Sequence, residues 1–253
     1  MPTDAPESLK IAKESFYAKG YYTGVTPTST NRVKRVLELA AGLRCARVLD
    51  VGCGDGTITT MVANAMGATE VRGIEISSEG GSLARSKGID VVVCDVEPGQ
   101  WPLPEGYFDA VYCGELIEHV FEPAHVLAEI RRVLKVGGVC LLTTPNLASW
   151  YNRLSLLLGF QPFETSASCR HPDAGKLPVG GFVRTIGGEH LRVMTLRALK
   201  ALARQANLEV VKVVGAHGGL PSRHPLWLLA VALDGILSTW PPLATSLVVK
   251  MTK

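Results

Sequence analysis

The stretch Val48-Leu49-Asp50-Val51-Gly52-Cys53-Gly54-Asp55-Gly56-Thr57 decides the fold. An apolar run suited to a buried strand passes directly into a turn with three glycines. Thr57 then opens a helical pattern that runs to Met66. Gly52 and Gly54 can take backbone angles closed to other residues, and they let a ligand approach the main chain. In open α/β sheets such a turn lies at the carboxyl end of a strand, where ligands bind.

A dinucleotide-binding turn would read GxGxxG and need glycine at position 57, which is Thr57. The turn here is GxGxG, with Asp50 two residues before its first glycine. A pyrophosphate is best held at a helix N-terminus with no carboxylate nearby. Asp50 and Asp55 favour a ligand that carries positive charge.

Outward from this turn, strands and helices alternate. Strands are expected at Ala46 to Val51, Glu70 to Ile76, Asp90 to Cys94, Phe108 to Cys113, Gly138 to Thr144, Leu208 to Val214 and Thr245 to Met251. Helices are expected at Asn31 to Leu43, Thr57 to Met66, Ser78 to Ser86, Glu122 to Lys135 and Thr195 to Ala206, with a leading helix from Pro6 to Lys19. The strands are continuous apolar runs, the pattern of a parallel sheet covered on both faces. The expected fold class is α/β: a doubly wound, mostly parallel, seven-stranded sheet with helices on both faces.

Residues 1–253 read as a single domain. Residues 1–43 form N-terminal helices that lid the ligand, and 46–144 form the binding core. The rhythm breaks over 145–193 and 215–243, two irregular apolar insertions that would cap the site. Functional groups tend to sit on such loops.

Composition narrows the function classes. Apolar residues make up 47% of the 253 residues and charged residues 19%, which is globular and leaves little room for disorder. A net charge of +3 is too slight for a dedicated nucleic-acid binder. The six cysteines form no CxxC pair, so there is no zinc or thioredoxin signature. The opening MPTDAPESLK lacks a basic segment followed by an apolar one, so a signal peptide is not expected there. A reducing cytoplasm is the expected compartment, with peripheral membrane contact compatible with the apolar insertions.

The stretch around Gly52 resembles motif I of the class I S-adenosylmethionine-dependent methyltransferases. From about Arg47 to Asn146 the chain is similar to their ubiquinone-biosynthesis-like branch. The resemblance implies that Asp50, Gly52, Cys53, Gly54 and Gly56 line the methionine and ribose portions of the donor. Glu75, with Ile76, lies 19 residues beyond Gly56, where nucleoside-binding folds place an acid on the ribose hydroxyls. Asp95 and Val96 match the family's adenine position, and Cys113 and Gly114 should border the methyl group.

Glu115, Glu118 and His119 fall at i, i+3 and i+4, which would share one face if the segment were helical. Three readings stay open for this trio: a general base at His119, a hard divalent cation, or a structural role. His190, within Gly188-Glu189-His190-Leu191-Arg192-Val193-Met194-Thr195, is a second catalytic candidate. It also matches a metal-binding histidine of small-RNA 2′-O-methyltransferases.

Tyr21, Glu115, Trp150 and Trp227 are the expected acceptor-binding residues. The expected function is methyl transfer from S-adenosylmethionine to oxygen of a small, rather apolar acceptor, with no obligatory metal. The alternatives are a metal-dependent RNA 2′-O-methyltransferase and a non-catalytic S-adenosylmethionine-binding protein.

Overall fold

The computed structural model describes residues 30–97, 99–168, 170–177, 190–218 and 225–253; for 225–227 it describes the backbone alone. The expected helix from Pro6 to Lys19 lies outside these residues, as does Tyr21.

Seven strands form one sheet: β1 (Arg47–Val51), β2 (Glu70–Glu75), β3 (Asp90–Val93), β4 (Phe108–Gly114), β5 (Leu134–Pro145), β6 (Glu209–Ala216) and β7 (Ser246–Thr252). Their order is β3-β2-β1-β4-β5-β7-β6. All neighbours are parallel except β7, which runs antiparallel to β5 and β6. The switch point lies between β1 and β4, so the turn after β1 opens into the crevice where such sheets bind ligands.

The helices are α1 (Asn31–Ala40), α2 (Thr57–Met66), α3 (Ser78–Ser86), α4 (Pro123–Val133), α5 (Trp150–Leu157), α6 (Leu196–Gln205) and α7 (Pro225–Leu237). Thr30 caps α1 by accepting from the Val33 amide, and Thr195 caps α6 by accepting from Ala198. Pro123 opens α4, where a missing N–H costs nothing.

Consecutive strand residues explain the unbroken apolar runs. Leu49, Val111, Leu142 and Val249 pack with Leu127 and Ile130 of α4 and Leu199 of α6. Their neighbours Val48, Ala110, Leu141 and Val248 pack on the opposite face with Val36 of α1 and Val62 and Met66 of α2. Side chains alternate between faces, and both faces are covered.

The boundary between α4 and β5 moves furthest. The fourth helix ends at Val133 instead of Lys135, because Leu134 is already extended and pairs with Phe108. The register slips between Phe108 and Ala110, so the chain bulges before Val139 resumes the pairing.

The insertions are less irregular than the sequence suggested. The first holds α5; the second holds α7 and a 3-10 turn, Pro241–Leu243. An eight-residue helix among turn-forming residues leaves little periodicity, and α7, with Asp234 as its single charged residue, has no polar face to set a period. The insertions touch: Trp150 Nε1 donates to Asp234 Oδ1 at 2.9 Å. Asn146 Nδ2 donates to the Ala244 carbonyl at 2.9 Å, and the Leu147 amide donates to Met194 at 3.0 Å.

Candidate functional site

Gly52, Gly54 and Gly56 all have positive φ, of 79°, 55° and 77°. A side chain at any of them would be strained. Gly56 has a further reason: an added Cβ would meet Ile89 Cδ1 at 2.6 Å, so this glycine lets the turn pack closely on its neighbours. The Gly52 and Cys53 amides donate to the Ile74 carbonyl, which ties the turn to β2. Cys53 is buried, with its sulfur against Gly73.

Glu75 braces the same turn. One carboxylate oxygen accepts from the Gly54 amide and the other from Ser77, each at 2.9 Å. A carboxylate has about four lone-pair sites, so both oxygens retain capacity for a pair of hydroxyls. Ile76, half-buried, follows it. Across the crevice Asp95 accepts from the Glu97 amide at 3.1 Å, and the Val96 carbonyl accepts from Trp101 Nε1. Glu75→Ala should weaken the nucleoside ligand by about 1.5–3 kcal/mol, the worth of a charged hydrogen-bonding group. Calorimetry checks this; unchanged affinity would remove Glu75 from the site.

Asp50 is buried on β1. Its Oδ2 accepts from Thr59 Oγ1 at 2.6 Å, but Oδ1 has no hydrogen-bond partner. Burial pushes its pKa up to about 7; the Thr59 hydroxyl opposes the rise and Glu75 adds to it. A buried carboxylate oxygen without a partner is costly, and an ammonium group would relieve it. This observation fits adenosylmethionine, whose methionine end carries an ammonium, and the open glycine turn fits its approach.

At the end of β4 the expected helical face is not formed. Glu115 has φ 52°, a left-handed conformation uncommon outside glycine, and only Ile117–His119 make a 3-10 turn. The trio therefore divides. Glu115 forms an ion pair with Arg32 of α1. Glu118 and His119 meet His190, and the charge of Glu115 still bears on Glu118 and His190.

Gly114 is required by its neighbour, since a Cβ would lie 2.1 Å from the Tyr112 hydroxyl. The Cys113 thiol is fully buried, and burial pushes its pKa well up. Only its backbone can face the crevice.

Glu118 is fully buried and works in several directions. Oε2 accepts from Thr144 Oγ1 at 3.0 Å, and its carbonyl accepts from the Leu191 and Arg192 amides. It thus holds the returning segment against β5. Its Oε1 has no hydrogen-bond partner and lies 3.9 Å from His119 Nε2. Burial, then the charge of Glu115, holds its carboxyl well above the usual range.

The His119 and His190 rings meet edge to face, 4.8 Å apart. His190 Nδ1 lies 2.9 Å from the Glu164 carbonyl, which can only accept. Nδ1 is therefore the protonated nitrogen, and Nε2 of the neutral ring keeps its lone pair. Burial pulls the His190 pKa below its ordinary value. Glu164 is itself fixed: its carboxylate accepts from the Tyr151 hydroxyl and from Asn152 Nδ2.

The structure thus assembles Glu118, His119 and His190, whose ligand atoms lie within 4.8 Å of one another, a set that could hold a metal ion. Trp150 is committed to Asp234 and joins the two insertions. Trp227 falls in α7, its side chain outside the description.

Sequence reasoning missed Arg32, Thr59, Asn152 and Glu164. Thr59 is legible in hindsight, on the helix turn that follows Asp50. The other three act through contacts distant in sequence that no local pattern announces.

Residues 49–142 match a family model described as a methyltransferase domain. A ubiquinone biosynthesis O-methyltransferase of Bordetella avium is 35% identical over 121 residues, covering 46% of this chain and 49% of the relative. The chain spans about half the length of the curated relatives that head the comparison. The fold resembles a chain of the complex between the Haloferax volcanii Trm112 methyltransferase activator and a methyltransferase. That match has TM-score 0.66 and 17% identity, over 94% of this chain and 96% of the other. It also resembles a Thermotoga maritima S-adenosylmethionine-dependent methyltransferase, a possible histamine N-methyltransferase. There the TM-score is 0.58 and the identity 18%, over 98% of this chain and 97% of the other. At such identities the structures speak for the fold alone, and the sequence match covers the turn, β2 and β4. Over residues 49–142 the chain is similar to a methyltransferase domain, and its fold resembles that of Rossmann-like, S-adenosylmethionine-dependent methyltransferases.

Proposed function

We propose that this protein transfers a methyl group from S-adenosylmethionine to a hydroxyl oxygen of a small, largely apolar acceptor. One observation carries the reading. The sheet edge that presents Asp50, Gly54 and Glu75 also presents a histidine pair, His119 and His190, in which the His190 tautomer is fixed by the Glu164 carbonyl. A binding protein without catalysis needs the first set and has no use for the second. The likeness to a ubiquinone biosynthesis O-methyltransferase of Bordetella avium supports oxygen as the acceptor atom.

When bound, S-adenosylmethionine supplies a methyl group already activated on a sulfonium. Asp50 would face the ammonium and Glu75 the ribose hydroxyls, with Asp95 at the adenine end. The backbone of Cys113 and Gly114 would border the methyl group. His190 Nε2, or His119 beside it, would accept the acceptor's hydroxyl proton. Holding the acceptor in line supplies up to ~7–11 kcal/mol of the barrier in favourable cases. Tyr21, Glu115, Trp150 and Trp227 remain the proposed acceptor contacts. Trp150 would act by fixing the cap, and Glu115 by its pairing with Arg32.

The test is methyl transfer from labelled donor to phenols and aliphatic alcohols of graded hydrocarbon length, beside an RNA with a free 3′ ribose. Methyl ethers should form on the small acceptors, more readily as hydrocarbon is added. Label in RNA alone would overturn the reading.

A second reading concerns the base. Glu118 Oε1, lacking a hydrogen-bond partner, together with His119 and His190 would suit a divalent cation, which would lower the hydroxyl pKa in place of a histidine. The metal-free reading predicts turnover unchanged by a chelator. Loss of turnover that magnesium or manganese restores would establish the cation instead.

A further inference from the structure

One buried cation of the first insertion lacks a close partner. Lys176 closes a turn, its amide donating to the Asp173 carbonyl at 3.1 Å. A bridge to Gln161 fixes its backbone, and the Gln161 amide donates to the Gly175 carbonyl at 2.8 Å. The side chain is only 2% exposed. Among the described residues its ammonium donates no hydrogen bond. The oxygen that pairs with it, Asp173 Oδ1, lies 3.6 Å away, beyond hydrogen-bond reach, and has no hydrogen-bond partner of its own.

An ammonium carries three donors, and burying it without acceptors is costly. The carboxylates around His190 are otherwise engaged. Glu164 spends its two oxygens on the Tyr151 hydroxyl and Asn152 Nδ2. Glu115 pairs with Arg32. Glu118 accepts from Thr144, and burial holds its carboxyl well above the usual range, toward the neutral form.

The placement of Lys176 ties it to the proposed acceptor site. The bridge sets it beside Gln161, in the segment that runs on to Glu164, whose carbonyl fixes His190. The charge of Lys176 bears on both Glu164 and His190. The same segment is aromatic: the Tyr151 ring meets Phe163 edge to face, with centres 5.6 Å apart, and meets Trp150 in the same way at 5.7 Å. Apolar and aromatic walls with a single convergent charge are the usual make-up of a small-molecule site.

We propose that Lys176 is a specificity-determining residue, whose ammonium binds a carboxylate carried by an otherwise apolar acceptor. One carboxylate brings one charge to match one ammonium, and its oxygens accept the donors that no described residue takes. The proposal rests on the proposed function and narrows it, from an apolar acceptor to an apolar hydroxy acid. The hydroxyl would lie toward the histidine pair and the acid toward Lys176.

The experiment is a binding titration that needs no turnover. The purified chain, with and without S-adenosylhomocysteine, is titrated by calorimetry with octanoate and 3-phenylpropanoate, and with the corresponding amides. The acids should bind about tenfold or more tighter than the amides, the worth of a hydrogen bond to a charged group. Lys176→Met should abolish that difference and Lys176→Arg should keep most of it, with affinity for S-adenosylhomocysteine unchanged in both. Asp173→Asn removes the competing oxygen and should leave the acids bound at least as tightly. The proposal is overturned if the acids bind the wild type no better than the amides, a comparison that needs no variant to fold. It is also overturned if Lys176→Met folds and keeps the preference, or if Asp173→Asn abolishes it. Acid preference in a chain that transfers no methyl group would keep this site and remove the methyltransferase reading. Methyl transfer to neutral alcohols without acid preference would do the reverse.

Discussion

His190→Ala should lower kcat by about 10²–10⁴-fold while leaving donor affinity within a factor of two or so. The range is the usual worth of a positioned base, and the geometry says why His190 should reach it. A catalytic imidazole must keep its lone pair on the nitrogen that faces the reaction. The Glu164 carbonyl fixes that choice by taking the Nδ1 proton. Burial keeps the ring neutral, so it starts the reaction ready to accept a proton. His119 stands against it, and its own replacement should cost a similar factor if the two act as a unit. The control is Glu164→Gln, which keeps the carbonyl that orients His190 but changes the group gripped by Tyr151 and Asn152. It should disturb kcat far less than loss of the imidazole does. Steady-state kinetics on any accepted hydroxyl would decide. If His190→Ala and His119→Ala both turn over within about threefold of wild type, neither is the base, and positioning alone carries the reaction. If magnesium or manganese restores turnover to the chelated wild type but not to either variant, the pair are cation ligands.

What was legible in the sequence was what local patterns encode. The strand, turn and helix around Gly52 fixed the architecture because buried parallel strands read as apolar runs and glycine marks left-handed backbone. Glu75 could be reached from its spacing beyond Gly56 and ends β2, whereas Asp95 came with the family resemblance and sits just past β3. The reading failed where a side chain's role depends on distant chain. Glu115, Glu118 and His119 looked like one helical face, yet the left-handed backbone at Glu115 breaks that face and pairs Glu115 with Arg32, while its charge still bears on Glu118 and His190. The tie of the Trp150 indole to Asp234, 84 residues away, was equally invisible in the sequence. Helix α7 escaped notice for the opposite reason. Its apolar residues leave no polar face to set a period, so it read as irregular although its local propensities suit a helix.

Asp50 offers the other large effect, one that reaches stability as well as binding. Its carboxyl has a pKa of about 7 in the folded chain against an ordinary value of 3.8, chiefly because it is buried. Below about pH 4 the group is protonated in both folded and unfolded chains and costs nothing. Between about pH 4 and pH 7 the unfolded chain releases the proton while the folded chain holds it, so folding stability falls as pH rises. Above about pH 7 both are ionised and the penalty is complete, at most about 4 kcal/mol for a shift of this size. The ligand-free protein should therefore melt progressively lower across that window, and Asp50→Asn should flatten this part of the curve. The same burial makes Asp50 useful to a donor that carries an ammonium. Placing that charge near Oδ1 favours the ionised form, so binding below about pH 7 should expel a proton and tighten as pH rises. Calorimetry in two buffers of different ionisation heat would count the proton. With Asp50→Asn the proton release should vanish, and affinity at pH 8 should drop by about 1.5–3 kcal/mol, the worth of a charged hydrogen bond. Equal melting slopes for wild type and variant, with donor affinity unchanged, would mean that Asp50 serves only to hold Thr59.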